Sequence, residues 1–252
     1  MKEELNNLLG KDINIFNKYL KIIRKKNNSK IEDSFIEWPS SWKTIYYKAY
    51  PRFKEMLLPR PNLPDIGLSK CLLNRESRRN FKKKAISLEK VSNLLFYSVG
   101  IKKSKSLSHS RFYPSAGARY PLEIYIFNTK NTSLKKAIYH YYVKDHSLEQ
   151  LFDLSLFSSK DAFTVGNQKW ANNALMFVVI TAVIKRTVIK YGEVGYKYAL
   201  LEAGHAAQNI SLLASALNIS CCGIGGYYDE YFEGLLDINP DSEHITYILA
   251  LG

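Results

Sequence analysis

The 252-residue chain predicts an α+β fold, with strands and helices segregated rather than alternating. Three observations carry that class. β-rich runs at 122–127 and 137–143 are separated only by polar Asn-Thr-Lys-Asn-Thr-Ser, which predicts an antiparallel pair. Leu175 to Val183 is continuously apolar and predicts a fully buried strand. Tyr196 to Leu217 is the strongest helical pattern, with Tyr196, Ala199, Leu200, Ala203, Ala207, Ile210, Leu213, Ala214 and Leu217 on one stripe. There is no internal repeat and no regular strand–helix alternation of the kind a doubly wound sheet needs.

The other elements follow in chain order. Residues 1–26 carry helical spacing at Leu5, Leu8, Leu9, Ile13, Phe16, Leu20 and Ile23, followed by a polar stretch from Lys25 to Lys30. Prolines at 39, 51, 59, 61 and 64 interrupt the next part and leave room for one short helix, Trp42 to Tyr50. Its aromatics, Trp38, Trp42, Tyr46, Tyr47, Tyr50 and Phe53, need a cover, and an arm lying on a partner surface is expected. Ser87 opens a helix through Tyr97 that stops at Gly100. Small residues at 199, 203, 204, 206 and 207 would let a second helix approach the long helix closely. His244 to Leu251 is a terminal strand.

At 46% hydrophobic residues the chain can bury a large core. The N-terminus has no signal-peptide pattern and the longest apolar run is too short for a bilayer, so a soluble cytoplasmic protein is expected. Cys71, Cys221 and Cys222 form neither a disulfide framework nor a CxxC pair, and the five histidines have no short ligand spacing, so no metal is expected. The net charge of +13 is one-sided: residues 1–110 hold 24 Lys/Arg against 10 Asp/Glu, residues 111–252 hold 12 against 13. With no RNP, zinc-finger or basic-zipper pattern, a solvated lysine-rich face is favoured over a nucleic-acid surface.

Four short stretches could carry chemistry. Arg75, Ser77 and Arg79 alternate in RESRR and, in an extended segment, project to one side, where two guanidiniums and a hydroxyl suit a phosphate; the same pattern also fits an exposed charged turn. In FYPSAGARYP, Pro114 and Pro121 fix the path, Ser115 offers a hydroxyl and Gly117 admits close backbone approach to a planar ring; a tight helix–strand connection would look alike. Gly223-Ile224-Gly225-Gly226 lacks dinucleotide-motif spacing and reads as a bend needing positive φ or as a backbone wall. Lys190-Tyr191 reads, on the residues alone, as a surface lysine beside a core tyrosine; as a reactive pair, either the ammonium lowers the tyrosine toward phenolate, or a desolvated lysine takes the proton while tyrosine orients it. Adjacent residues in a helix do not face each other, so either scheme needs a helix end here, which Gly192 permits.

In order, RESRRNF (75–81), FYPSAGARYPLEIYIF (112–127), YHYYVKDHSLEQL (139–151), KYGEVGYKYALLEAGHAAQN (190–209), GIGGYYD (223–229) and ILALG (248–252) resemble the SagB-type, McbC-like branch of the nitroreductase superfamily. WPSSWK and AYPRF are similar to the leader of that branch. The resemblance implies a basic, aromatic, proline-rich arm at 1–69 and an FMN-binding domain at 70–252, its mostly antiparallel sheet flanked by helices and closed into an intimate homodimer. It implies that Arg75, Ser77 and Arg79 hold the FMN phosphate and ribityl chain. Pro114, Ser115, Ala116 and Gly117 would lie against the isoalloxazine ring, reaching the flavin of the other subunit, and Gly223, Ile224, Gly225 and Gly226 would form the opposite wall. Lys190 and Tyr191 would be the catalytic pair of an azoline dehydrogenase that oxidises peptide or carrier-bound thiazolines and oxazolines to thiazoles and oxazoles, with oxygen reoxidising the flavin. Gly225 stands where NAD(P)H-using relatives tend to carry an acid, which disfavours a nitro or quinone reductase. A noncatalytic component docking a cyclodehydratase is a further reading.

Overall fold

The computed structural model describes residues 17–22, 39–63, 65–81, 84–102, 109–154 and 168–252. Seven strands form one sheet: β1 (Lys54–Leu57), β2 (Leu122–Asn128), β3 (Ala137–Tyr142), β4 (Ser147–Asp153), β5 (Met176–Val183), β6 (Cys221–Ile224) and β7 (Glu243–Leu251). Their order is β1-β4-β3-β2-β5-β7-β6 and every neighbouring pair is antiparallel. Besides a helical stretch at 17–22, the α-helices among the described residues are α1 (Ser40–Lys43), α2 (Leu68–Asn74), α3 (Leu88–Val99), α4 (Lys185–Tyr191), α5 (Val194–Ala216) and α6 (Asp229–Leu236). This is the α+β architecture expected.

Side-chain alternation divides the sheet into two buried faces. On β2, Leu122, Ile124 and Ile126 join the core shared with Val91, Leu94 and Leu95 of α3 and with Ala199, Ala203, Ala207, Ile210 and Ala214 of α5. Tyr125 and Phe127 point the other way, to Phe177, Val179, Phe232 and Ile248. Covered on both faces, β2 and β5 can be apolar without a break, and each fully buried aliphatic side chain there contributes about 1.5–3 kcal/mol.

Patterned elements lie close to their expected bounds. Ser87 caps α3 by accepting from Lys90 N at 3.4 Å, and Gly100 ends it. The expected hairpin is β2 and β3, in register Tyr125↔His140. In α5 the alanine ridge is buried as expected, but Tyr196 and Leu200 are 40% and 42% exposed: the sheet and α3 fill only the alanine side of the helix.

The expected helix Trp42–Tyr50 is shorter, ending at Lys43. Carbonyls that a longer helix would offer to its own next turn are taken instead by the Arg119 guanidinium, which donates to Ser41, Trp42 and Thr44. The chain then runs extended, and β1 adds to the sheet beside β4. Tyr50 meets His140 edge-on at 5.1 Å and Phe53 meets Phe152 at 5.7 Å, so these aromatics are covered by the chain's own sheet. Most of the expected helix at 1–26, the polar stretch 25–30, Trp38 and Pro64 lie outside the described residues; 17–22 is helical.

A buried polar chain fixes the start of α4. His140 Nδ1 lies 2.7 Å from Glu149 and Nε2 2.9 Å from Glu123, whose other oxygen is 2.6 Å from Arg186 of α4. Burial alone would discharge His140, but the two carboxylates overcome it and raise its pKa. Arg186 also donates to Tyr120 O at 3.2 Å, which ties α4 to the loop before β2.

Candidate functional site

The proline-flanked loop is held in an unusual backbone. Gly117, Ala118 and Tyr120 all have positive φ, at 57°, 54° and 46°. Two of the three carry a Cβ, so the surrounding structure must hold the conformation, a kind of strain that clusters at functional sites. Ser115 helps by accepting from Tyr120 N at 2.9 Å. The loop forms one wall of a cleft of about 770 Å³ whose other lining includes Lys190 and Tyr191.

Lys190 and Tyr191 are the last two residues of α4, and Gly192 ends the helix at φ 58°, ψ −146°, a conformation open to glycine. Both side chains can therefore turn to one place, the helix end that cooperation requires. That place is Gly117: a Cβ added there would collide with Tyr191 Oη and lie 2.9 Å from Lys190 Nζ. The glycine is needed twice, for its φ and for the contact. Tyr191 also packs edge-on against Tyr198 of α5 at 5.1 Å.

The electrostatics separate the two schemes for this pair. Burial, then the Arg119 charge, lowers the Lys190 pKa, while burial raises that of Tyr191. Both shifts favour neutral lysine beside protonated tyrosine over an ammonium–phenolate pair. Of the two schemes, the one with lysine as proton acceptor and tyrosine as hydrogen-bond donor agrees with these directions.

Arg75, Ser77 and Arg79 occupy a second region. After α2 the segment runs without regular structure beside β6, with Arg78 N donating to Cys221 O at 2.9 Å and Ser220 Oγ to Asn80 O at 3.0 Å. Ser77 and Arg79 line a cleft of about 630 Å³ together with Phe81 and Ser220. Both bear on the Cys222 thiol, which burial raises and Arg79 and Ser77 pull down. Arg75 is not in that lining; its charge is felt at Cys221, whose thiol burial pushes up to about 12. Arg78 is spent on an exposed ion pair with Glu76 at 2.7 Å. Arg78 nevertheless lines the same cleft as Arg79 and is the less exposed of the two, while Arg75 stands outside it, so the alternation does not by itself sort the three arginines.

The glycine wall is only partly as expected. Gly223 and Ile224 belong to β6, not to a bend, and positive φ among the described glycines is confined to Gly117 and Gly192. Gly223 faces the Tyr247 hydroxyl, the Ile224 side chain is wholly buried in the second core, and Gly225 has open space at its Cβ position. Gly226 O accepts from Gln168 Nε2. This stretch can offer backbone only. It continues the strand beside Arg79, whereas the Gly117 loop lines the other cleft, so among the described residues the two groups of candidate residues line different clefts.

Three buried ionisable residues near the loop cleft were not foreseen. Arg119 is 3% exposed and Arg111 6%, the latter sandwiched between the rings of Tyr47 and Tyr120 at 5.4 and 5.2 Å. Glu202 of α5 is 2% exposed and neither carboxyl oxygen has a hydrogen-bond partner among the described residues. Burial lifts its pKa to about 8, with Ser115 and Arg111 pulling the other way. A signal existed for it: Glu202 falls in phase with Ala199, Ala203 and Ala206 on the buried side of the helix.

A seven-stranded antiparallel sheet flanked by helices, with a long helix behind a strained loop, is the nitroreductase fold. The nitroreductase family profile matches residues 72–252, and the chain belongs to that family, whose proteins generally bind flavin. It is 30% identical to the nitroreductase-like protein MJ1384 of Methanocaldococcus jannaschii over 183 residues, 73% of this chain and 90% of that one. It is 27% identical to the microcin B17-processing protein McbC of Escherichia coli over 133 residues, about half of each: 51% and 49%. Among solved structures, a nitroreductase-like protein of Ralstonia eutropha superposes with TM-score 0.66 at 20% identity, covering 83% of this chain and 93% of that one. A chain of the Escherichia coli microcin synthetase McbBCD complex, solved with truncated pro-MccB17, superposes with TM-score 0.59 at 19% identity, covering 94% and 93%. No helix among the described residues is long and apolar enough to cross a membrane.

Proposed function

We propose that this chain is an FMN-dependent azoline dehydrogenase of the McbC-like branch, oxidising thiazoline or oxazoline rings in a peptide or carrier-bound substrate. The observation that carries the reading is the convergence of Lys190, Tyr191 and Gly117 in one cleft, with lysine biased toward its neutral form. Aromatising an azoline removes a proton from a ring carbon and a hydride from its neighbour, and a simple reductase has no need of a dedicated lysine base. The similarity to McbC points the same way.

The residues present fit FMN. Arg79 and Ser77, with Arg75 nearby, give charge-assisted donors for a phosphate beside an open cleft, and the Gly117 loop leaves a side-chain-free surface for a flat ring. When bound, FMN supplies the acceptor for the hydride. Lys190 takes the ring proton, and Tyr191 donates a hydrogen bond that fixes the lysine or the azoline heteroatom. Because phosphate and ring residues line different clefts of one chain, the site is completed by a second copy: a homodimer in which residues 70–252 form the flavin domain and the segment before them closes over it. The exposed Tyr196, Leu200 and Leu201 of α5 give that second copy an apolar helix face to cover. In the cell a cyclodehydratase supplies the azoline.

The test is direct. Purified protein should be yellow, and an azoline peptide should yield a product lighter by two hydrogens. Lys190→Ala and Tyr191→Phe should each cut that rate, the lysine variant by about 10²–10⁴-fold, with FMN still bound; normal rates in both overturn the assignment. The similarity to MJ1384 favours a second reading, an NAD(P)H-dependent reductase of nitro or quinone compounds. Rapid bleaching of the bound flavin by NAD(P)H would select it.

A further inference from the structure

The segment before the family domain reaches into the loop cleft. Trp42 Nε1 donates to Ile189 O at 3.1 Å, which seats the indole on the last turn of α4. Lys190 Nζ then lies 5.9 Å from the centroid of that ring. Arg119, from the cleft loop, holds the segment in place through the carbonyls of Ser41, Trp42 and Thr44, at 3.1 Å to Ser41 and 2.5 Å to Thr44. Tyr47, a few residues on, stacks on Arg111. Residues 41–47 thus contact the cleft's two buried arginines and its lysine, and all of them precede residue 72, where the family match begins.

We propose that Trp42, strapped down by Arg119, is a positioning residue that roofs Lys190 and holds it at the cleft as the proton acceptor. Two physical effects of the indole oppose each other. Its π face would stabilise an ammonium, but at 5.9 Å the contact is at the outer edge of cation–π range, near 6 Å. Its bulk excludes water, which disfavours the ammonium, and exclusion dominates at that separation. Arg119 acts in the same direction: its partners in the strap are neutral carbonyls, so its positive charge still bears on Lys190. The other ionisable groups around the lysine are Tyr191 on its own helix, Tyr198 of α5 against that tyrosine, and Lys102, Arg111, Tyr113 and Tyr120 in the cleft lining. One strap therefore does two things: it desolvates the base and holds a like charge next to it.

This inference rests on Lys190 being the base, and the experiment separates the two ideas. The full-length protein is acylated with acetic anhydride across a pH series, with N-α-acetyllysine added as a free-amine standard, and the extent of modification of Lys190 and of the standard is read by mass spectrometry. Unaltered protein should show the Lys190 midpoint at lower pH than that of the standard. Trp42→Ala should move it up toward the standard, and Trp42→Phe should keep most of the difference. Equal midpoints in the unaltered protein, or no movement in folded Trp42→Ala, overturn the proposal. The measurement needs neither substrate nor turnover. An early, Trp42-dependent midpoint in a protein that leaves azolines untouched supports the strap and removes the dehydrogenase reading.

Discussion

The two halves of the candidate site are built on opposite principles. The loop half is preorganised: three left-handed residues in a row of four, a glycine squeezed against Lys190 and Tyr191, and arginines buried under aromatic rings and carbonyls. The arginine half is open, with Ser77 and Arg79 exposed on a segment that has no regular structure. Chemistry at a ring carbon depends on fixed geometry and a shifted pKa, so its residues must be held before the ligand arrives. Gripping a dianionic phosphate depends on charge and reach, and flexible guanidiniums in water tolerate being ordered by the ligand itself. Damage should accordingly follow a different rule in each half.

The largest effect is expected at Gly117. Gly117→Val adds a Cβ where φ is 57° and where Lys190 and Tyr191 already stand, so dehydrogenation should fall by about 10²-fold or more with phosphate affinity little changed. A loss confined to flavin affinity would merge the two halves into one. Arg79→Ala comes next. On the proposed phosphate assignment it would remove a charge-assisted contact of about 1.5–3 kcal/mol, so FMN affinity should drop roughly 10–100-fold while turnover at saturating FMN stays near normal. A fall in saturated turnover would show that the open half also shapes the chemistry.

A smaller effect is expected at Glu202, and it depends on pH. Its folded pKa, about 8, lies above the ordinary carboxyl value of 4.5, so the folded state binds the extra proton. The associated stability is fully present below pH 4.5, is lost as pH rises through 8, and is absent above it. Glu202→Gln should flatten that decline, with the difference in unfolding free energy between the two ends on the order of a few kcal/mol. Urea melts from pH 4 to 9 provide the check, and parallel curves for both proteins would contradict the buried acid. The smallest effect is expected at Arg78, whose side chain pairs with exposed Glu76: Arg78→Ala should change stability by less than about 0.5 kcal/mol, read by urea melts.

How far the sequence could be read follows the same division between pattern and partner. The cores of β2, β3, β5, β7, α3 and α5 were legible because each buries a periodic or continuous apolar set. β4 was not, since Glu149 sits in it at a position that looks solvent-facing until His140 is placed opposite. β1 was not either, being four residues of Lys-Glu-Met-Leu whose only sheet neighbour is β4. The candidate residues of both halves could be read off as motifs. Their supports could not: Arg119 meets its carbonyl partners 75–78 residues away, and nothing local marks a charge for burial. Glu202 is intermediate, readable from its helical phase alone.

The central claim is that one flavin is held between the arginine half of one copy and the loop half of another. The direct test mixes two chains that each carry one broken half, Arg75→Ala/Arg79→Ala and a Gly117 variant bulky enough to displace the ring, Gly117→Trp, by co-expression with different tags. Each alone should take up FMN poorly; the purified hybrid should recover tight binding at one site per pair of chains, read by quenching of FMN fluorescence. A hybrid that binds no better than either parent contradicts the claim.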